Sequence, residues 1–174
     1  SHERSTDVSD TLRSLVCLWE STHSLSVCGS CRNLIRLKIE KSVQPKRLNL
    51  AENKQLKKLE VFSPTVEQIV LSHCKELESI DLRCENLEHL NLHGCRSVDP
   101  DLSPKLNSLT RLHVLEMNGM IQLEELNLTL PRLTRLHVQG SRLHELWLSC
   151  PELREILLPK ARNMLSVRIH CHRS

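Results

Sequence analysis

One spacing dominates this chain. The pattern L-x-x-L-x-L, with isoleucine or valine standing in for leucine, recurs from Leu34/Leu37/Ile39 through Leu56/Leu59/Val61, Val66/Ile69/Leu71, Leu77/Ile80/Leu82 and Leu87/Leu90/Leu92. It resumes at Leu109/Leu112/Val114 and continues through Leu123/Leu126/Leu128, Leu133/Leu136/Val138, Leu143/Leu146/Leu148 and Leu153/Ile156/Leu158. Weaker copies lie at Leu12/Leu15/Cys17, Leu25/Val27, Leu48/Leu50 and Met164/Val167/Ile169. The hexapeptide Leu109-Thr-Arg-Leu-His-Val114 returns unchanged as Leu133-Thr-Arg-Leu-His-Val138. A fixed period of this kind belongs to stacked supersecondary units, none of which can bury its apolar face alone.

The closing L-x-L of each unit alternates with period two, the mark of a strand with one buried face. Central positions fall at 37, 48, 59, 69, 80 and 90, then at 112, 126, 136, 146, 156 and 167. The steps are mostly 10 or 11 residues, with one strand missing near 101 and an insertion near 117 to 121. Ten residues cannot encircle a leucine-filled core. The expected fold is therefore mainly β, a solenoid of about 21 residues per coil with strands on two sides. One sheet should hold the strands centred at 37, 59, 80, 126, 146 and 167, and the other those at 48, 69, 90, 112, 136 and 156. Ser9 to Glu20 fits either a short capped helix or a further strand on Leu12/Leu15/Cys17.

Aromatics are only 2% of the 174 residues, so the core must consist of repeated aliphatic slots. The net charge of +3 is milder than that of most nucleic-acid modules. No apolar run approaches the ~20 residues that span a bilayer, so no membrane partner is expected. Ser1-His2 reads as a tag remnant, residues 3–24 as an N-terminal segment or first repeat, and 25–174 as the solenoid, a fragment of a longer protein.

The units resemble leucine-rich repeats, and in particular the cysteine-containing repeats of the F-box/leucine-rich-repeat family. The residues that carry the resemblance are Ser72-His-Cys-Lys-Glu-Leu-Glu-Ser-Ile-Asp-Leu82, Asn86-Leu-Glu-His-Leu-Asn-Leu-His-Gly-Cys95 and Ser149-Cys-Pro-Glu-Leu-Arg-Glu-Ile-Leu-Leu-Pro159. It covers most of residues 25 to 171. What it implies is a protein–protein interaction module that holds a client protein, as the substrate receptor of a ubiquitin ligase whose subunits would be met through other domains. This chain contains no recognisable F-box.

Eight cysteines fall short of a disulfide scaffold and point to reduced thiols in a cytoplasmic or nuclear protein. Cys74 and Cys95, like Cys150 and Cys171, are one 21-residue coil apart, so they should stack as small buried hydrophobes. In a secreted protein Cys74 and Cys95 would be the pair to suspect of a disulfide. Cys28-Gly-Ser-Cys31 and His170-Cys171-His172 have zinc-ligand chemistry but belong to opposite ends of the solenoid, so no metal or other cofactor is expected.

Outward residues of adjacent strands form ladders that could bind a partner. On the second sheet these are His89 and Asn91, Arg111 and His113, and Arg135 and His137, a polar, basic stripe suited to an acidic or phosphorylated ligand. A nucleic-acid backbone is the weaker alternative, because the aromatics needed for single-strand stacking are scarce. On the first sheet Glu125 stands beside Glu145 and Trp147, followed by Ser166 and Arg168; an outward tryptophan is a favoured hot spot. Arg36, Lys38, Lys57 and Lys58 make a separate basic cluster, read as solvated surface. Asp81 and Glu60 are weak candidates for the paired acids of a β-helix hydrolase. No nucleophile, phosphate loop or acid pair is set in a pocket, so the chain is read as a non-enzyme.

Overall fold

The computed structural model describes residues 4–5, 14–17, 24–26, 33–40 and 45–170. The chain winds as a parallel-strand solenoid of about six turns at roughly 21 residues per coil. In chain order the strands are β1 (Arg4–Ser5), β2 (Ser14–Cys17), β3 (Ser24–Ser26), β4 (Arg36–Ile39), β5 (Arg47–Asn49), β6 (Lys58–Phe62), β7 (Gln68–Val70), β8 (Ser79–Arg83) and β9 (His89–Asn91). A short helix α1 (Ser103–Asn107) follows, then β10 (Val114–Glu116), β11 (Glu125–Thr129), β12 (Arg135–His137), β13 (Glu145–Ser149), β14 (Glu155–Leu157) and β15 (Ser166–His170).

One side of the solenoid is a continuous parallel sheet ordered β1-β3-β5-β7-β9-β10-β12-β14. The other side holds two sheets, β2-β4-β6-β8 and β11-β13-β15, instead of the single expected sheet. The alternation read from the sequence is the packing mechanism. Leu48, Ile69, Leu90, Leu115 and Leu136 stack inward from one side, and Leu37, Leu59 and Ile80 face them from the other. All are essentially sealed from water, and each buried leucine contributes about 1.5–3 kcal/mol. Corners are closed by a recurring three-residue hydrogen bond, as from Leu77 N–H to the Cys74 carbonyl, Leu87 to Cys84 and Leu153 to Cys150.

The coil that contains α1 explains the irregular spacing. Prolines 100 and 104 remove backbone donors that a ladder would need, and the apolar residues of this stretch, Leu102 and Leu106, suit one helical turn. Helix α1 occupies the place of the missing strand and seals the edge of β11 with side chains. Ser103 Oγ accepts from the Asn127 N–H (3.0 Å) and Asn107 Oδ1 accepts from the Thr129 N–H (2.8 Å). The amide of Asn107 also donates to the Asn127 carbonyl (3.1 Å), so one asparagine reproduces the pairing of a strand.

This coil is longer than its neighbours, and the expected strand at 112 is displaced by three residues. The ladder pairs Leu90 with Leu115 and Leu115 with Leu136, so Leu112 lies in the preceding corner, still buried. The sequence carries both frames, since Leu112/Leu115/Met117 is itself an L-x-x-L-x-M unit. The expected insertion at 117 to 121 does not exist; the extra residues belong to the α1 coil. Near the N-terminus, Ser14–Cys17 is a strand paired with β4, which excludes a helix there; the rest of 9–20 lies outside the described residues.

Candidate partner-binding faces

On the eight-stranded sheet the outward ladders are Arg47, Gln68, His89, Val114, Arg135, Glu155 and Asn49, Val70, Asn91, Glu116, His137, Leu157. The shift at β10 therefore removes Arg111 and His113 from the expected stripe and inserts Val114 and Glu116. Arg111 sits in a corner, where its Nη1 donates to Asn86 Oδ1 (3.0 Å). His113 is half-buried beside it, with Nδ1 sealed from water and lacking a hydrogen-bond partner.

Acidic neighbours neutralise what remains. His137 Nε2 lies 2.7 Å from Glu155 Oε1 and its Nδ1 is 4.0 Å from Glu116, while Arg135 Nε is 3.6 Å from Glu155. Asn91 turns its Oδ1 onto the His93 N–H (2.9 Å), leaving His89 as the exposed member of its strand. The structure brings Arg135 and His137 together with carboxylates that the expected stripe does not contain. Their signal was present in the sequence: Glu155 occupies the outward slot of the next unit.

The opposite face near the C-terminus follows the expected register. Glu125 pairs with Glu145 and Ser166, and Asn127 pairs with Trp147 and Arg168. Trp147 is 42% exposed although it stands in the middle strand of its sheet. The Arg168 guanidinium lies over its ring at 4.6 Å, a cation–π contact between neighbouring strands. Spacing makes Arg168 a neighbour of Trp147, whereas its stacking depends on rotamers and is not legible from spacing. Beyond it, strand β15 leaves Val167 and Ile169 each 42% exposed, and Leu165 precedes them at 80%.

On the N-terminal half of the same side, Phe62 carries two cations that sequence reasoning did not connect to it. Arg83 lies 4.8 Å and Lys38 5.7 Å from its ring centre. Each cation also meets an acid, Lys38 with Glu40 (2.6 Å) and Arg83 with Asp81 (3.6 Å). The hydrogen bond to Glu40 holds the Lys38 ammonium above its ordinary pKa. Lys57 and Lys58 reach Glu78 and Glu60, so much of this cluster is paired surface, and Glu60 and Asp81 are ion-pair partners of Lys58 and Arg83.

The thiols are corner pegs. Cys74 Sγ donates to the Leu50 carbonyl and Cys95 Sγ to the Leu71 carbonyl, both at 3.1 Å across to the preceding coil. They are reduced and are not joined to each other. Burial pushes the Cys84 and Cys95 thiols up to about 12, which suppresses the reactive thiolate. Cys28, Cys31 and Cys171 lie outside the described residues.

No protein-family model matches the chain. It is similar to the disease resistance protein RPP2A of Arabidopsis thaliana, 30% identical over 116 residues that make up 53% of this chain and 9% of that protein. It is also similar to the disease resistance protein RRS1 of the same plant, 35% identical over 75 residues, 42% of the chain and 5% of that protein. The chain thus spans less than a tenth of the length of these relatives. Fold and similarity together make it a leucine-rich-repeat-type solenoid akin to segments of plant disease resistance proteins. Among the described residues no helix is long and apolar enough to cross a membrane.

Proposed function

We propose that this chain is the recognition segment of a plant disease-resistance-type protein, holding a protein partner on the face formed by β11, β13 and β15. The observation that carries this reading is Trp147, half-exposed on a rigid strand and held in place by Arg168. Tryptophan and arginine are the residues most enriched where interface energy concentrates. Polar Asn127, Glu125 and Glu145 share the outward face with Trp147, as a polar rim accompanies an anchor. The eight-stranded sheet is the poorer candidate, because its Arg135 and His137 already meet carboxylates. The same neutralisation weakens the nucleic-acid alternative, which needs cations available for phosphates.

On this reading the chain carries no catalysis of its own and works inside the cell. A role as substrate receptor of a ubiquitin ligase is the narrower form of the proposal. It would require a ligase subunit to co-purify with the longer protein.

A photo-crosslinking amino acid placed at position 127 or at position 89, followed by mass spectrometry of a plant lysate, tests the choice of face. Crosslinks to a defined protein from position 127, lost with Trp147→Ala, are the expected result. Truncating a hot spot costs about 2 kcal/mol or more, some thirtyfold in affinity. Crosslinks from position 89 that survive Trp147→Ala would overturn the assignment.

A further inference from the structure

We propose that Glu125, His144 and Glu145 form a binding site for a divalent transition-metal ion of the zinc class. Their donor atoms, one imidazole nitrogen and two carboxylate oxygens, all lie within 4.8 Å of one another. The parallel register sets Glu125 directly against Glu145 on neighbouring strands. Like charges in that relation destabilise a sheet. Elsewhere on the strands acids stand beside cations, Glu60 with Lys58, Asp81 with Arg83 and Glu155 with Arg135. Neither Glu125 nor Glu145 makes an ion pair among the described residues, and the nearby Arg168 is engaged on Trp147.

The third donor decides the class of cation. His144 immediately precedes β13, held by its N–H on the Glu124 carbonyl (2.9 Å), and its ring comes to the side of the two carboxylates. Carboxylates alone would suit magnesium or calcium, whereas imidazole favours zinc, cobalt, nickel or copper. A four-coordinate ion with ligand bonds of about 2.0–2.2 Å sets its donors roughly 3.4 Å apart. The three side chains are exposed or half-buried, so their rotamers are free to swing inward by the roughly 1 Å that closes the set. Three protein ligands leave a further position for water, the arrangement of an open site. The ion would cancel the charge repulsion of the glutamates, and no redox step is involved. The inference does not depend on the partner-binding reading.

The test is titration of the chelator-stripped chain with Co2+. The expected spectrum shows visible bands of nitrogen and oxygen coordination at one equivalent, without a thiolate-to-cobalt charge-transfer band, displaced by Zn2+ and not by Mg2+. His144→Ala and the double variant Glu125→Gln/Glu145→Gln should each lower the affinity at least tenfold while keeping the circular dichroism of the parent. Zn2+ should raise the melting temperature of the parent chain and not that of His144→Ala. Absence of saturable cobalt binding would overturn the proposal. So would binding unchanged by His144→Ala, or binding dominated by thiolate bands, which would place the ion on the cysteines.

Discussion

The two sides of each coil obey different rules. One side repeats strands of two or three residues as a single eight-stranded sheet; the other carries strands of up to five residues and is cut by α1. The continuous side fixes register, because Leu90, Leu115 and Leu136 must stack whatever lies between them. The interrupted side tolerates a different element as long as the exposed strand edge finds partners, which Ser103 and Asn107 supply. The identical hexapeptides 109–114 and 133–138 show the consequence: the second spans a strand, while the first lies mostly in a corner and ends at the first residue of β10. Local sequence is overruled by the ladder.

The sharpest way to break this comparison is to reverse which residue is buried in β10. Leu115→Asp should cost more than about 4 kcal/mol and unfold the solenoid, while Val114→Asp should cost under about 1 kcal/mol, measured by urea unfolding. The opposite ranking would restore the frame centred on Leu112.

Next in size is the pH response of the corners, Cys84 at one end of the strands and Cys95 at the other. Both thiols have folded pKa values raised from 9.0 to about 12, so the folded form holds its proton more tightly. Their contribution is fully present below pH 9 and is lost as pH rises toward 12, by on the order of 1 kcal/mol per pH unit for each thiol. Melting curves recorded from about pH 8 to about pH 11, with Cys84→Ala and Cys95→Ala as references, should show a shallower slope in each variant, smaller by the share of the thiol removed.

Glycine substitutions sharpen the picture of the continuous side. Gly94 (φ +72°) would direct a new Cβ to 2.8 Å from His73 Nδ1, whereas the same atom at Gly119 meets nothing closer than 3.7 Å. Gly119→Ala should therefore cost about 1 kcal/mol for its left-handed backbone, and Gly94→Ala measurably more. On the interrupted side, Asn107→Ala leaves the Thr129 N–H and Asn127 carbonyl without their partner and should cost about 1 kcal/mol. The smallest effect belongs to the surface pair: Arg135→Glu should change stability by less than about 1 kcal/mol.

Coil length, two-sidedness and nearly every core position were legible because period-two alternation and the 21-residue step are geometric demands that only apolar residues meet. Leu37, Leu59, Leu126 and Leu146 are buried where the pattern placed them. The α1 coil was not legible in the same way. Two overlapping L-x-x-L frames compete there, and the choice between them is made by pairing with β9 and β12, which local spacing does not encode. The face around Glu125, Glu145 and Trp147 follows directly from register. The contacts that give the faces their character do not: His137 with Glu155, Arg168 over Trp147 and His144 beside two glutamates each depend on side-chain torsions across strands.

Asparagine 107 has one more consequence. Because its side chain stands in for a strand, the covalent chain passes α1 without carrying the backbone ladder across on that side, while the opposite ladder continues. The solenoid is thereby tied along one wall and only stapled along the other. Thermal motion will concentrate at the staple, giving a one-sided hinge there, and amide exchange at Asn127 and Thr129 should outpace that at Leu115 and Leu136.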